Sequence, residues 1–456
     1  MEYQDFLKKK IKFVQDSGKI VADTEINKNL FDYQHDIVKW AMKKGKSAVF
    51  AGTGLGKTRI QLAWADLVGG KVLIFAPLAV ASQTVAEGKE IGIGVTLCKE
   101  NADVKDGINI TNYDRMEKFD LSQFDGIVLD ESSILKSQTG KTRNWLIENC
   151  QQIPYKLCCT ATPAPNDYME LGNHAEFLGV MTEMEMLAMF FIHDGSDTAK
   201  WRLKKHAVRD FWEWVASWAV MITNPADLGY DGSKFNLPKL NIEQREVKTE
   251  VTTGSLFAVE ARTLQERQQA RRDSLKERTE ACAELVNNSN EQWLVWCNLN
   301  VESNAIAKLI PDSVEICGSD TSEYKTKAML DFTNKNARVL VSKPSICGFG
   351  MNWQQCHNMI FVGLSDSFEQ YYQAVRRCWR FGQDKQVNVY VITADTEGAV
   401  VANIQRKERD FERMLSGMIA ATQNITAENI KSTTKNQKKY EPKMKMEIPA
   451  WMEVGA

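Results

Sequence analysis

Hydrophobic and polar positions follow one another along the chain in a pattern that predicts two α/β domains. Short apolar runs are separated by amphipathic stretches, and continuous rather than alternating hydrophobicity is typical of parallel strands covered on both faces. The strands predicted in the first part of the chain are Lys46–Ala51, Lys71–Ala76, Ile108–Thr111, Gly126–Leu129 and Tyr155–Cys159. A Gly-rich loop follows the first of them, and the run Lys57–Val68 after it predicts a helix.

The middle of the chain has a different pattern. From about residue 165 to 240 it is rich in Met, Trp and Phe at helical spacing, which we interpret as core packing and not as a cofactor site. The charged run from Arg262 to Val286 predicts a long helix. The strand pattern then returns at Gln292–Asn298, Val314–Ile316, Arg338–Ser342, Asn358–Val362 and Val387–Ile392. The pattern therefore predicts a second sheet domain.

These boundaries predict an α/β protein of two parallel-sheet lobes with a helical insertion between them. A chain of 456 residues is long enough for two or three domains. We place the first lobe at residues 1–165, the helical insertion and linker at 166–290, and the second lobe at 291–420. The Lys-rich remainder, 421–456, predicts a solvated and partly disordered tail.

Composition narrows the function classes. The chain has 57 Lys and Arg against 59 Asp and Glu, a net charge of −2, which argues against a histone-like or tail-driven nucleic-acid binder but allows a local basic groove. Its ten cysteines form no CxxC pair and its five histidines are scattered, so we expect buried reduced thiols and no metal site built from them.

No apolar run approaches the roughly 18–20 residues of a membrane span. The N-terminus has no apolar segment of the kind a secretory signal needs, so a cytoplasmic location is expected.

The sequence from Ala51 to Thr58, Ala-Gly-Thr-Gly-Leu-Gly-Lys-Thr, resembles a phosphate-binding loop. Its first position is Ala where the strict GxxxxGK[ST] pattern has Gly. Gly54 and Gly56 allow backbone N–H groups to turn towards a phosphate, and the helix that follows directs its positive end there. Lys57 can bridge the β- and γ-phosphates, and the Thr58 hydroxyl can bind Mg²⁺. By itself, the loop predicts phosphate binding only.

An acidic pair, Asp130-Glu131, directly follows the apolar strand GIVL. Alone, such a pair is usually a capped turn. Here a Gly-Lys-Thr loop follows an earlier predicted strand, so the pair becomes a candidate for the second half of an ATPase site. Asp130 would hold Mg²⁺ and Glu131 would orient and deprotonate the attacking water.

Two arginines in the second sheet domain complete the candidate chemistry. Arg377 and Arg380 are three residues apart, so they would share one face of a helix. Arginines brought from another domain to a γ-phosphate stabilise the charge of the transition state. The alternative for this segment is an ordinary basic helix on the surface, or a contact to a phosphate backbone.

In combination, the motifs resemble those of superfamily 2 helicases, over roughly residues 28–395. In the first lobe Phe31–Gln34 resembles the Q motif, and Ala51–Thr58 resembles motif I in its AxxGxGKT form. Ala76-Pro77 resembles motif Ia, and Thr111–Tyr113 resembles motif Ib. Asp130–Ser133 resembles motif II, and Thr160–Pro163 with Asn166 resembles the motif III stretch TxTPxxN. The second lobe is most similar to SNF2-type translocases. Ser342 with Gly348, Gly350 and Asn352 resembles motif V, and Gln373–Gln383 resembles motif VI, QAxxRxxRxGQ.

The resemblance implies two RecA-like lobes with ATP and Mg²⁺ between them. It assigns binding of the nucleotide to Phe31, Gln34, Gly52, Thr53, Gly54, Gly56, Lys57, Thr58, Gly350 and Gln373. Catalysis would rest on Lys57, Asp130, Glu131, Arg377 and Arg380, and Mg²⁺ on Thr58 and Asp130. Thr160, Ala161 and Thr162 would couple the nucleotide to lobe movement, and Pro77, Thr111, Asn112 and Ser342 would contact nucleic acid.

Departures from the family pattern leave alternatives open. The tetrad Asp-Glu-Ser-Ser at 130–133 is neither DEAD nor DEAH, and Leu237-Pro238 lacks the basic element that usually precedes it in SNF2 proteins. The insertions in this chain are short, and no histone-reading module is visible. A compact prokaryotic or bacteriophage translocase is therefore the closer match. A bacteriophage protein of this kind would act in the cytoplasm of its bacterial host. DNA is the expected partner, with RNA less favoured and protein partners in replication, recombination or repair allowed. The alternatives are a strand-separating DNA helicase, an RNA-dependent ATPase and a non-hydrolysing scaffold.

Overall fold

The computed structural model describes residues 15–77, 80–136, 140–194, 197–248, 272–348, 351–365, 367–395 and 398–434. These residues form two parallel sheets, each covered by helices, together with a small antiparallel hairpin. Two α/β lobes were predicted, and this part of the prediction is confirmed.

The first lobe is built on a sheet of seven parallel strands. They are β1 (Lys46–Ala51), β2 (Lys71–Ala76), β3 (Val95–Leu97), β4 (Gly107–Asn112), β5 (Gly126–Asp130), β6 (Tyr155–Thr160) and β9 (Ala219–Ile222). Their order across the sheet is β3-β4-β2-β5-β6-β1-β9. Two further strands, β7 (Phe191–Asp194) and β8 (Asp197–Leu203), pair only with each other, antiparallel. The five strands predicted here are confirmed to within one residue at each end.

Helices cover both faces of this sheet. They are α1 (Asp32–Lys44), α2 (Lys57–Val68), α3 (Ala81–Glu90), α4 (Lys141–Asn149), α5 (Leu171–Leu178), α6 (Glu183–Phe190) and α7 (Val208–Ala216). On one face Trp40 of α1 and Trp64 of α2 are buried in a core with alternate side chains of the central strands. On the other face Phe177 of α5 and Trp214 of α7 are buried in a second core. The strands are thus buried on both faces, which explains why their sequences are continuously apolar.

The second lobe has a sheet of six parallel strands. They are β10 (Leu240–Val247), β11 (Trp293–Trp296), β12 (Ser313–Glu315), β13 (Val339–Ser342), β14 (Asn358–Phe361) and β15 (Val387–Ala394), in the order β10-β15-β14-β11-β13-β12. The helices are α8 (Leu275–Asn287), α9 (Asn300–Leu309), α10 (Ser322–Thr333), α11 (Pro344–Cys347) and α12 (Phe368–Val375). All five strands predicted for this lobe are present.

The segment predicted as a helical insertion differs from that prediction, because both sheets take a strand from it. β9 lies beside β1 in the first sheet, and β10 lies beside β15 at the edge of the second. Residues 223–239 connect the two. The short apolar run of β9 follows α7 without a Gly or Pro between them, and periodicity cannot separate a short buried strand from a helix. The charged helix predicted for 262–286 is described only from residue 272 onward, where α8 begins at Leu275.

The last described element is a long helix, α13 (Gly398–Thr434), that contacts both lobes. Phe411 lies in the core of the second lobe, whereas Met418 and Ile430 lie in the two cores of the first. Asn429 also donates a hydrogen bond to the carbonyl of Ala216, at 3.3 Å. The helix therefore enters the region 421–456 that was predicted as a solvated tail, and residues 435–456 lie outside the described residues.

Among the described residues, no helix is both long enough and apolar enough to cross a membrane. The ten cysteines are free thiols, and all but the half-buried Cys317 are buried. Burial raises the pKa of several of them, Cys347 to about 11 for example, so they pack as apolar groups.

Candidate functional site

The order of strands brings three predicted motifs to one edge of the first sheet. β5, β6 and β1 are neighbours, and all three are parallel. The segments that follow them therefore meet beyond the same carboxyl edge, where open α/β sheets bind ligands. Asp130 ends β5, Thr160 ends β6, and the loop after Ala51 leaves β1.

The loop after β1 lies between a strand and a helix, as the sequence predicted. Gly54 and Gly56 have φ of +89° and +73°, and Lys57 opens α2. A Cβ on Gly56 would lie 2.2 Å from Nε2 of Gln34, and a Cβ on Gly54 would lie 2.8 Å from the backbone nitrogen of Phe381 in the second lobe. Only glycine fits at either position. The loop is therefore shaped by its neighbours as well as by its own backbone.

Gln34 binds this loop directly. Its Nε2 donates to the carbonyl of Leu55 at 3.0 Å, and its Oε1 accepts from the backbone N–H of Phe31 at 3.0 Å. The Tyr33 hydroxyl donates to the same Leu55 carbonyl at 2.7 Å. Gln34 is thus part of the support of the loop. Recognition of adenine by Gln34 stays a prediction.

The two carboxylates after β5 have different surroundings. Asp130 is buried, and its Oδ1 accepts a hydrogen bond from Nε2 of Gln61 at 2.6 Å. Burial, with the neighbouring Glu131 charge, raises the pKa of Asp130 to about 6, and the bond from Gln61 opposes this rise. Burial lowers the pKa of Lys57, whereas Glu131 and Asp130 act to raise it. Gln61 was not predicted, although it lies one turn after Lys57 on α2 and faces the same edge of the sheet.

Glu131 links the acidic pair to the segment after β6. Oε2 of Glu131 accepts from the Thr160 hydroxyl at 3.2 Å, and the Thr160 Oγ1 accepts from the backbone N–H of Thr162 at 3.1 Å. Ala161 lies between them and is buried. A change in the position of the Glu131 carboxylate can therefore be passed to the start of this segment. The assignment of Thr160–Thr162 to coupling stays a prediction.

His174 of α5, which sequence reasoning missed, contacts the residue after this pair. It is fully buried, and its Nε2 lies 3.1 Å from Oγ of Ser132. Burial lowers the pKa of His174 to about 4, so its ring is neutral at neutral pH.

We expect the buried His174 to weaken the fold in acid. Its pKa is below the ordinary value of about 6.5, so the unfolded chain takes up the proton first as the pH falls from 6.5 towards 4. Its contribution to the free energy of unfolding is complete above pH 6.5, and about 2–3 kcal/mol is lost by pH 4.5. Urea unfolding at pH 7 and 4.5 should show this loss in the wild type and in the control His206→Gln, an exposed site, but not in His174→Gln. An equal loss in all three proteins would contradict the expectation.

The two predicted arginines of the second lobe are held differently. Arg377 is almost fully buried and donates three hydrogen bonds within its own lobe, to the carbonyls of Gln373 and Met351 and to Oε1 of Gln373, each 3.0 Å long. Arg380 donates to Oδ1 of Asn352. Burial and the nearby Arg377 lower the pKa of Arg380 to about 9, while Glu87 and Glu131 of the first lobe oppose this shift. Both guanidinium groups line the cavity, but Arg377 donates three hydrogen bonds within its lobe and Arg380 one, so Arg380 keeps more donors for a ligand.

One cavity of about 780 Å³ lies between the lobes, and most of the residues predicted to bind or hydrolyse the nucleotide line it. Its lining includes Phe31, Gln34, Thr53, Gly54, Gly56, Lys57, Thr58, Asp130, Glu131, Arg377 and Arg380. The hydroxyl of Thr53 is buried with no hydrogen-bond partner among the described residues. Gln373 is buried and lies outside this lining, and its Nε2 has no partner among the described residues either. Gly52 lies just outside this lining, in a small adjoining cavity, and Gly350 lies outside the described residues. Outside this lining, Lys136 of the first lobe and Glu369 of the second form an ion pair that joins the lobes.

Aromatic side chains from three parts of the chain meet beside this cavity. Phe381 of the second lobe stacks on Phe235 of the connecting segment, with ring centroids 4.8 Å apart. Phe31 packs edge-on against both, at 5.5 Å from Phe235 and 6.4 Å from Phe381. Phe31 was predicted to lie here, and the two others were not.

A second groove, of about 930 Å³, continues from this cavity between the lobes. Pro77 and Asn112 line it from the first lobe, with Lys99 and Arg115; Lys325 and Lys327 of α10 line it from the second. Oδ1 of Asn112 has no hydrogen-bond partner among the described residues. Thr111 and Ser342 are buried instead, and the Ser342 hydroxyl donates to the carbonyl of Ile316 at 2.9 Å. Contact of any of these residues with nucleic acid stays a prediction.

The residues present fit a magnesium nucleotide. Gly54 and Gly56 leave a concave backbone, Lys57 supplies a cation, and the unpartnered Thr53 hydroxyl is available to a phosphate. For the metal, Thr58 and Asp130 are the candidates. No group of three or more His, Cys, Asp or Glu that could hold a metal exists within the ranges that the structure describes. Two protein ligands suit Mg²⁺, which keeps waters and phosphate oxygens in its coordination sphere.

Residues 277–382 match the family model described as the helicase conserved C-terminal domain. The match runs from α8 to the residue after Phe381, so it includes both arginines. This part of the chain is therefore similar to the helicases of superfamilies 1 and 2, and the match supports a helicase-type ATPase that depends on nucleic acid. No curated protein matches the chain.

Proposed function

We propose that the chain is an ATP-driven motor of helicase superfamily 2, of the SNF2-like type, that translocates on duplex DNA, and that it is a compact member of bacterial or bacteriophage origin. One observation carries the proposal: a single interlobe cavity is lined by Lys57, Asp130 and Glu131 from one lobe and by Arg377 and Arg380 from the other. A site divided in this way makes hydrolysis depend on the distance between the lobes.

The predicted site residues that line the cavity have distinct roles in this proposal. The Gly-rich loop and Lys57 bind the phosphates, while Thr58 and Asp130 would hold Mg²⁺, which would neutralise charge on the phosphate oxygens. Glu131 accepts the proton of the attacking water. Arg380 stabilises the charge that develops on the transferred phosphoryl group. Phe31, with Gln34, would contact the base.

Movement follows from the second groove. Its lysines and Arg115 come from both lobes, so a phosphate backbone bound there contacts the two lobes at successive positions. Closure around ATP and opening after hydrolysis would change the distance between these contacts. Repeated cycles would move the motor along DNA.

Replacement of Lys57 by alanine tests the ATPase assignment. Without the cation that bridges the phosphates, nucleic-acid-stimulated ATP turnover should fall at least about a hundredfold. Lys71→Ala is the matched control, because Lys71 begins β2 at the opposite edge of the same sheet. Release of phosphate is measured with saturating DNA. A Lys57→Ala protein with wild-type turnover would refute the proposal.

The choice of nucleic acid distinguishes the alternatives. Stimulation of the ATPase is measured in parallel with duplex DNA, single-stranded DNA and RNA. We expect the strongest stimulation by duplex DNA, together with displacement of the third strand of a triplex and no unwinding of a forked duplex. Unwinding of the fork would identify a strand-separating helicase, and preferential stimulation by RNA an RNA-dependent ATPase.

A further inference from the structure

Glu131 has an unusual backbone conformation for a residue with a side chain. Its φ is +53°, in the left-handed region, and Lys335 is the only other non-glycine residue with positive φ among those that the structure describes. This conformation is unfavourable for residues with a Cβ and persists only where the surroundings impose it. Both neighbours of Glu131 are in fact held by side chains from other elements.

Tyr113 holds the residue before it. The Tyr113 hydroxyl donates to the backbone carbonyl of Asp130 at 2.7 Å. The Tyr113 ring stacks on Phe75 of β2 with centroids 6.0 Å apart, and Tyr113 is buried. The carbonyl of Asp130 is therefore fixed from the β2–β4 side of the sheet.

His174 holds the residue after it. Nδ1 of His174 lies 3.4 Å from the carbonyl oxygen of Glu170, and Nε2 lies 3.1 Å from the hydroxyl oxygen of Ser132. The neutral ring has one donor and one acceptor nitrogen, so it can form a hydrogen bond on each side. The imidazole packs edge-on against Phe50 of β1, at 5.0 Å between centroids. Ser132 is thus fixed from α5, through a ring whose position is set by its buried contacts.

We propose that Tyr113 and His174 are positioning residues that hold Glu131 in its left-handed conformation and so direct its carboxylate into the cleft. This inference rests on the proposed function, because it assigns the pair a task in hydrolysis. Without the two anchors, the backbone at Glu131 relaxes towards negative φ and rotates the carboxylate away from Thr160. Binding of ATP does not depend on this rotation, since the Gly-rich loop and Lys57 lie in another segment.

Ser132→Ala, His174→Leu and Tyr113→Phe each remove one anchor. Each should lower kcat for ATP about tenfold, part of the 10²–10⁴-fold contribution of a well-placed general base, and leave KM within about twofold. His174→Gln keeps an acceptor for Ser132 and a donor for Glu170, so its kcat should stay within about threefold of wild type. Phe177→Leu, in the same helix and the same core, is the control: it should lower the Tm without lowering kcat.

The background Glu131→Gln separates positioning from general support of the fold. If the anchors act through the Glu131 carboxylate, adding Tyr113→Phe or Ser132→Ala to Glu131→Gln should not lower the single-turnover rate further. A full additional tenfold loss in that background would overturn the inference.

The outcomes also separate this inference from the proposed function. A wild-type protein that turns over ATP, with Tyr113→Phe, Ser132→Ala and His174→Leu equal to it in kcat, overturns the inference alone. A wild-type protein with no ATP turnover at saturating DNA overturns both. Tyr113→Phe and Ser132→Ala keep the test decisive if His174→Leu does not fold, because each removes a single hydroxyl.

Discussion

Substitution of Glu131 by glutamine should lower kcat for ATP about 10²–10⁴-fold while leaving the affinity for ATP within a few fold. The amide keeps the size of the side chain, and its oxygen can still accept from the Thr160 hydroxyl, so the local geometry is retained. What it loses is the ability to take a proton from water. Binding contacts of the Gly-rich loop and Lys57 are unaffected because they come from β1 and α2.

Two measurements check this expectation. Single-turnover hydrolysis reports the chemical step, and equilibrium binding of a fluorescent ATP analogue reports affinity. Glu148→Gln, on the exposed surface of α4, is the matched control and should be indistinguishable from wild type. Equal losses of binding and hydrolysis in Glu131→Gln would show that the carboxylate organises the site as a whole and does not act on the water.

The two arginines should separate into one that acts on the phosphate and one that holds the lobe. Arg380→Ala should lower kcat about a thousandfold, as expected for an arginine that reaches a γ-phosphate from a second domain, without a change in Tm. Arg377→Ala removes the donor of three hydrogen bonds inside the second lobe. We expect it to cost about 3 kcal/mol or more of the free energy of unfolding, since buried acceptors lose their charged partner.

Conservative variants sharpen this contrast. Arg380→Lys keeps the charge but loses the planar fork, so it should restore only part of kcat. Arg376→Ala is a control, since the Arg376 guanidinium packs over Trp379, 4.2 Å from the ring centroid. The unfolding midpoint in urea and kcat are measured on the same preparations. A stable, inactive Arg377→Ala protein together with an unstable Arg380→Ala protein would reverse the assignment.

The sequence was sufficient for the parts of the molecule where one local pattern has one structural meaning. Continuous apolar runs such as Lys71–Ala76 are strands at the predicted limits. The run is short and lies between Gly69-Gly70 and Pro77, which favours a buried strand over a helix. The helix from Lys57 to Val68 was also placed correctly, since its start is marked by the Gly-rich loop. Most of the predicted site residues line one cavity. The Gly-rich loop and the acidic pair meet there because each follows a parallel strand of the first sheet, whereas Phe31 and Gln34 come from the start of α1 and the two arginines from the segment after α12.

Sequence reasoning failed where long-range packing decides. His174 and Gln61 lie in helices and look like ordinary helix residues, and only the fold brings them within 3.1 Å and 2.6 Å of Ser132 and Asp130. Phe235 and Phe381 are far apart in sequence, in the connecting segment and in the second lobe, yet their rings stack. β10 carries Glu243 and Arg245, and its polar exposed edge resembles a loop in sequence. None of these contacts has a local signal.

The long helix α13 gives the two lobes a second connection, in addition to residues 223–239. At about 1.5 Å per residue its 37 residues span roughly 55 Å. Two bodies joined at two separate points can still rotate about the line through those points. We therefore expect this rotation to be the main motion between the lobes, with little sliding or twisting of one lobe past the other. The distance between labels on opposite sides of the cleft should therefore vary along a single coordinate, and a protein cut between Val401 and Phe411 should lose that restriction while both sheets remain folded.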